Sequence, residues 1–300
     1  MKPELPSLGS RVSIRYRLGD GLTDVIGHLD ATAPLVRVRT ASDGVVDVDP
    51  DTIVSVRELS HRAVRNSEIR ALEHAAALAW PGTEQQWLGG WLLRAAGGHT
   101  SRANSAVPLH MSATLAELPA IADWYRQRGL PAWLALPERL LRVTATGIKA
   151  TRVLVCDLAG PASAPEVTFA DSPGAGWLAT YQRAIPTDVL TAVAGGDVTF
   201  ASITDSAVGR GAVGRGAVTT APDGTRWLGI TSVRVADAAR RRGLARTLCA
   251  ALMNWGVEHG ATRCYVQVLT DNTAGIRLYE SMGFALHHRA QYVEAEALLR

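Results

Sequence analysis

The chain is short of several things, and each shortage removes a class of protein. No apolar run approaches the roughly 18 residues that cross a bilayer, so no membrane-spanning helix is expected. Cysteine is scarce: Cys156, Cys249 and Cys264 are the only 3, without metal-type spacing. An odd, unpaired count suits a reducing compartment and gives no metal site. Lysine is almost missing, since every base except Lys2 and Lys149 is an arginine. The net charge of +3 supplies no basic field, so no nucleic-acid partner is expected. The opening residues, MKPELPSLGSRV, carry no basic cluster and no apolar stretch. A secretory signal is therefore not expected, and the cytoplasm is the expected location. Low-complexity repeats are absent too, and 47% hydrophobic residues are enough for a packed core. A length of 300 residues sets a prior of about two domains.

What is present begins with strands. Val12, Ile14, Tyr16 and Leu18 alternate with Arg11, Ser13, Arg15 and Arg17, the period of a strand with one buried face. Short apolar runs follow at 25–29, 35–38, 45–48 and 53–56, with Ser42-Asp43-Gly44 as a hairpin signal. Five strands in residues 1–60 predict a small all-β barrel of the SH3-like kind. Its slight excess of acids over bases favours a docking or dimer-forming module.

After Ser60 the period becomes helical. A helix is predicted from Ser67 to the Pro81-Gly82 stop, then strands at 90–95 and 101–107. A helix over 111–128 ends at Gly129 with Pro131 beyond it, and strands follow at 132–136 and 152–157. Residues 160–165 (GPASAP) read as a linker. Beyond them the order is strand, two short helices over 174–184 and 187–194, and a meander at 198–203, 207–220 and 227–235. A helix over 244–259, a strand over 262–269, a short helix over 273–282 and a strand from Phe284 complete the chain. The segment GRGAV occurs twice in succession, at 209–213 and 214–218, where the glycines suit a bulge or a close backbone approach.

The most informative stretch is GITSVRVADAARRRGLAR at 229–246. A strand with Ile230, Val233 and Val235 leads through a loop into a helix near Arg240-Arg241-Arg242-Gly243-Leu244-Ala245. Such a junction aims free N–H groups and the positive end of the helix dipole outward, which suits phosphate. Gly243 lets a ligand approach the backbone, and Ala245 leaves the first turn uncrowded. Leu244, Leu248, Leu252 and Trp255 form the stripe that packs on the sheet. Taken alone, the arginine run reads equally as a solvated basic face. Three arginines at a helix start oppose the dipole by roughly 0.3–1 kcal/mol each, which an anionic ligand would offset.

A second segment stands after the next strand: Asp271-Asn272-Thr273-Ala274-Gly275-Ile276-Arg277-Leu278-Tyr279-Glu280-Ser281-Met282-Gly283-Phe284. With Arg240-x-x-Gly243-x-Ala245 before it, in that order, the chain strongly resembles the GNAT superfamily of acyl-CoA-dependent N-acyltransferases. Gly275 departs from the pattern, where such proteins more often have Ala, and should loosen the short helix. The resemblance implies an α/β fold, a GNAT-type mixed sheet flanked by helices, in a tandem with a degenerate N-terminal half. The expected divisions are an SH3-like barrel at 1–60, the degenerate half at 61–160 and the acetyl-CoA-binding domain at 161–300.

The resemblance further implies acetyl-CoA as cofactor, with Arg240, Arg241, Arg242, Gly243, Leu244, Ala245 and Arg246 on its pyrophosphate. Val233 and Val235 would bond its pantetheine arm, as would Asn272, and Tyr279 would protonate the departing thiolate. As a plain residue Tyr279 also reads as a packed helix aromatic, and Thr100 to Ser105 line an acceptor pocket or form a strand with a wet face. No general base is legible: Asp223, Glu294, Glu296, His287 and His288 read as solvent-exposed. The expected reaction is transfer of acetyl to a primary amine, on a small molecule or on a protein lysine or N-terminus. The alternative is a non-catalytic acyl-CoA sensor working through the barrel, and a third reading is a chromatin-type enzyme acting on lysine-rich protein. A homodimer is a further expectation.

Overall fold

Alternation builds the N-terminal unit. Along β1 (Arg11–Leu18), Val12 and Ile14 are buried while Arg15 and Arg17 face solvent. β2 (Gly21–Ala31), β3 (Val36–Thr40), β4 (Val45–Val48) and β5 (Ile53–Glu58) repeat the pattern. They form an antiparallel sheet in the order β4-β3-β2-β1-β5. Val12, Ile14, Val25, Leu29, Val36, Val38 and Val48 make its core, each contributing about 1.5–3 kcal/mol through burial. On the outer face each guanidinium grips an aspartate with two nitrogens: Arg15 on Asp24, Arg37 on Asp47 and Arg39 on Asp30. Those hydrogen bonds hold the three carboxyls below their ordinary range.

The computed structural model describes residues 3–42, 44–160, 167–204, 209 and 211–299. Most of the expected linker, Asp43 of the hairpin signal, and Ala207, Val208 and Arg210 lie outside that set. The chain packs as two compact units, one running to Val64 and taking in Leu286–His288, the other holding the rest.

The second unit begins with α1 (Asn66–Ala79) and a small sheet of β6 (Glu84–Leu88), β7 (Trp91–Ala95) and β8 (Val107–Pro108). α2 (Leu118–Arg126), β9 (Trp133–Pro137) and β10 (Ile148–Asp157) follow, then β11 (Thr168–Ala170), α3 (Ala175–Tyr181) and α4 (Thr187–Thr191). The remainder is β12 (Asp197–Ile203), β13 (Ala212–Thr220), β14 (Arg226–Val235), α5 (Leu244–Glu258), β15 (Arg263–Leu269), α6 (Thr273–Glu280) and β16 (Ala285–Glu294). Eight strands join in one mixed sheet in the order β11-β12-β13-β14-β15-β10-β16-β9. β10 thus sits between two strands that come more than a hundred residues later.

Three details depart from the pattern reading. β6 was not expected, because its sequence EQQWL is polar and four of its five residues are exposed. Residues 101–105 form a loop rather than a strand, and the helix expected over 111–128 is confined to α2 after a short 3-10 turn. For the loop the reason lies in Asn104, whose buried side chain accepts from the amides of Ala96 and Gly98 and donates to the carbonyls of His99 and Thr100. This satisfies the loop backbone without a ladder.

The second GRGAV segment explains itself on β13. A Cβ at Gly214 or Gly216 would meet Leu248 and Leu252 of α5 at 2.9–3.2 Å, so the glycines let that helix lie close. Arg215 between them is fully buried and donates to the carbonyls of Ala79, Leu190 and Ala192 at 2.7–2.9 Å. Burial lowers its pKa to about 9.

Candidate active site

β14 and β15 run parallel and in register only from Trp227 against Arg263 to Ile230 against Val266. Beyond that point they part. The cause is local: the pairing of β14 with β13 slips between Val213 and Arg215, and Ser232 takes a positive φ of 56°. An extra residue on a strand bends it and re-aims its side chains. Nothing in Ile230-Thr231-Ser232-Val233 signals this bulge, so the sequence reading missed it.

The split opens a cavity of about 990 Å³. Thr231 to Val235 line one side and Gln267 to Leu269 with Asn272 and Tyr279 the other. The start of α5 closes one end. Gly243 caps it with φ of 80° and open space where a Cβ would stand, and the first intrahelical bond runs from Thr247 N to Gly243 O at 3.1 Å. The N–H groups of Gly243, Leu244, Ala245 and Arg246 therefore have no helical acceptor.

Of the residues expected at the site, Val233, Val235, Arg240, Arg241, Gly243, Leu244, Ala245, Arg246, Asn272 and Tyr279 all line this cavity, while Arg242 is exposed and does not. The three arginines 240–242 precede α5 rather than opening it. Arg240 reaches Asp237 at 2.7 Å, and Arg246 donates to the Ser281 hydroxyl and carbonyl at the end of α6. Asn272 caps α6 by accepting from Gly275 N at 2.9 Å, and a Cβ at Gly275 would lie 2.7 Å from the Asn272 amide nitrogen. Glycine there makes room for the cap. Tyr279 is buried, edge-on to Phe284 at 5.6 Å, and burial pushes its phenol well up, so it keeps its proton.

A family model described as "Probable histone acetyltransferase Rv0428c C-terminal" matches residues 66–293, and "Rv0428c N-terminal Sm-like domain" matches 6–57. A Mycobacterium tuberculosis protein, "Probable histone acetyltransferase Rv0428c", is 45% identical over 300 residues, 98% of this chain and 97% of that one. The chain belongs to the Rv0428c family of GNAT acetyltransferases. As such it is an acyl-CoA-dependent acetyltransferase, not a sensor alone. The Bacillus subtilis "Uncharacterized N-acetyltransferase YobR" is 32% identical over 57 residues, 19% of this chain and 23% of that one. A "GCN5-related N-acetyltransferase from Kribbella flavida" shares the fold, with a TM-score of 0.53 and 17% identity over 78% of this chain and 96% of that one. The N-terminal Sm-like match agrees with the expected small all-β domain.

The acetyltransferase fold implies acetyl-CoA as acyl donor, and the residues present fit it. The unfilled amides at the start of α5, with Arg240 and Arg241 beside them, form an anion cradle. None of the described helices is long and apolar enough to cross a membrane.

Other lining residues come from the polar stretch 100–105, one of whose two readings was an acceptor pocket, and from elements that sequence reasoning did not connect to the site. Thr100, Ser101 and Arg102 arrive on the Asn104-tied loop, Lys149 and Thr151 on β10, and Tyr292 on β16. Trp80, just past α1, donates to the Thr231 hydroxyl at 3.3 Å, and Ser232 donates to the Tyr181 oxygen at 3.1 Å. Only the polarity of residues 100–105 hinted at any of this. Among the described residues no Asp, Glu or His lines the cavity. Asp223, Glu294 and Glu296 are exposed elsewhere, whereas His287 and His288 are fully buried, with Nδ1 atoms 2.8 Å apart. Expecting the histidines in solvent was wrong: both are buried, at adjacent positions of β16. The cysteines also play no part in the lining; burial pushes the Cys249 thiol up to about 12 and Cys264 well up, which keeps both unreactive.

Proposed function

We propose that the enzyme moves an acetyl group from acetyl-CoA directly to a primary amine bound beside it. The observation that carries this reading is the splaying of β14 from β15 next to an unfilled helix start, with a buried phenol between them. The relative's name points to protein lysine among amines.

When bound, acetyl-CoA supplies an activated acetyl thioester whose C–S bond breaks as the C–N bond to the acceptor forms. The amides of Gly243 to Arg246 and the side chains of Arg240 and Arg241 bind the pyrophosphate, with Arg242 at its outer side. Arg246 serves chiefly through its backbone, since its guanidinium is engaged by Ser281. Val233 and Val235 lie where β14 has lost its ladder to β15, and they orient the pantetheine arm with Asn272 opposite. A backbone N–H in the same stretch stabilises the charge that develops on the acetyl oxygen. Tyr279 donates its proton to the departing sulfur. The amine must arrive neutral, and the cations around the cavity lower its pKa. Water then suffices to take the proton.

Thermal unfolding with and without acetyl-CoA tests the cofactor site, in the wild type and in an Arg241→Glu/Gly243→Asp variant. At a hundredfold excess over Kd the ligand stabilises by about 2.7 kcal/mol, a rise of several degrees at this size. The rise is expected in the wild type alone. No rise in the wild type would refute the reading.

A further inference from the structure

Resting on that reading, we propose that the acceptor is a small amine carrying its own oxyanion, carboxylate or phosphate, and that Arg102 and Lys149 receive this group. Seven cations line the cavity, and the described lining holds no carboxylate or imidazole to balance them. Arg240, Arg241 and Arg246 belong to the start of α5 and are accounted for by the cofactor; Arg234 bonds Gln182 and reaches Asp237, and Arg183 lies 5.9 Å from the centre of the Tyr181 ring. Arg102 and Lys149 are not so accounted for. Lys149 is on β10, which β15 separates from β14, so it stands at least two strand spacings, roughly 10 Å, from the α5 side of the split.

Both side chains are held in place. Arg102 donates through Nε to Gln267 Oε1 at 2.7 Å, and Gln267 donates in turn to Glu73 at 3.3 Å. The guanidinium lies 5.9 Å from the centre of the Trp80 ring. Its terminal nitrogens make no hydrogen bond among the described residues. Lys149 donates to the Ser101 hydroxyl, from a backbone at φ 51° that L residues seldom adopt. The loop that carries Ser101 and Arg102 is itself fixed by Asn104. One carboxylate, Glu73 on α1, lies behind this wall, buried and bonded by Gln267.

Such a wall discriminates by charge. A lysine-rich segment, the acceptor that the relative's name suggests, brings several positive charges toward fixed positive charges and is disfavoured, in departure from that name. An amine with an oxyanion pairs its negative end with Arg102 and Lys149, and the same field helps its nitrogen shed a proton.

The experiment compares kcat/KM across matched amines: ethanolamine with phosphoethanolamine, β-alanine and other amino acids with their amides, and a lysine-rich peptide. Calorimetry of acetyl-CoA binding without acceptor runs beside it. The anionic member of a pair is expected to be favoured at least tenfold, the phosphate and carboxylate series showing which oxyanion is preferred. Arg102→Gln, and independently the exposed Lys149→Gln, should cut that ratio at least fivefold; a merely structural loss would lower both members alike. Acetyl-CoA binding with turnover confined to neutral amines or the peptide, or with no anionic amine turned over, would overturn this inference and leave the proposed function standing. Failure to bind acetyl-CoA would instead strike the proposed function itself.

Discussion

The arginines of the two units are used in opposite ways. On the N-terminal sheet Arg15, Arg37 and Arg39 each face an aspartate across or diagonal to the strand and spend two nitrogens on it. Around the cavity, Arg102 and Arg241 have no carboxylate partner among the described residues, and Arg240 shares one exposed aspartate with Arg234. The first set is satisfied by the protein and offers little to a phosphate backbone. The second set lines a concave surface, where the field of like charges is focused on an anion. Local pairing rather than total charge thus decides where this chain keeps positive charge without a carboxylate partner, and a composition near neutrality concealed it.

The sharpest way to probe the contrast is Arg215, a buried arginine of the second unit that spends two of its nitrogens on backbone carbonyls. Arg215→Met leaves the carbonyls of Ala79, Leu190 and Ala192 without their donor. A loss of about 3–5 kcal/mol is expected by chemical denaturation; a loss under 1 kcal/mol would show that the three carbonyls find other donors. Next in size is the response to salt. Raising NaCl from 0.05 to 0.5 M should weaken acetyl-CoA binding roughly tenfold by calorimetry, because unpaired cations lose most to screening. An unchanged affinity would break the comparison. Smallest is Arg15→Ala or Arg37→Ala on the outer sheet face, where solvent already screens the pair. The unfolding midpoint should move by no more than about 2 °C, and a drop of 6 °C or more would mean the pairs hold the sheet together.

How legible each part was follows from the range of the interactions that make it. All five N-terminal strands could be read from Val12, Ile14 and their alternating successors, since the period of a half-buried strand is local. The turn into α5 was legible for the same reason: Gly243 and the helix stripe after it lie within one short stretch. Ser232 was opaque, because a bulge depends on what β13 does opposite it. Arg102, Lys149 and Tyr292 were beyond reach as one wall, since only the sheet order brings their elements together. β6 failed differently, as a strand with hardly any buried face leaves no hydrophobic period to find. His287 and His288 show the reverse error, where polar type was taken for exposure.

The insertion of β10 also has a consequence in time. Asp157 at its end bonds Arg263, 106 residues further along. At a synthesis rate of about 5–20 residues per second, β10 waits roughly 5–20 s for its partner strand to emerge. Throughout that interval Val153, Leu154 and Val155, fully or almost fully buried in the finished sheet, have no neighbour on either edge. An open apolar strand is a template for mispairing. The ribosome-bound chain is therefore at its most vulnerable after the middle of the protein has been made and before β15 arrives, and chaperone capture should peak there.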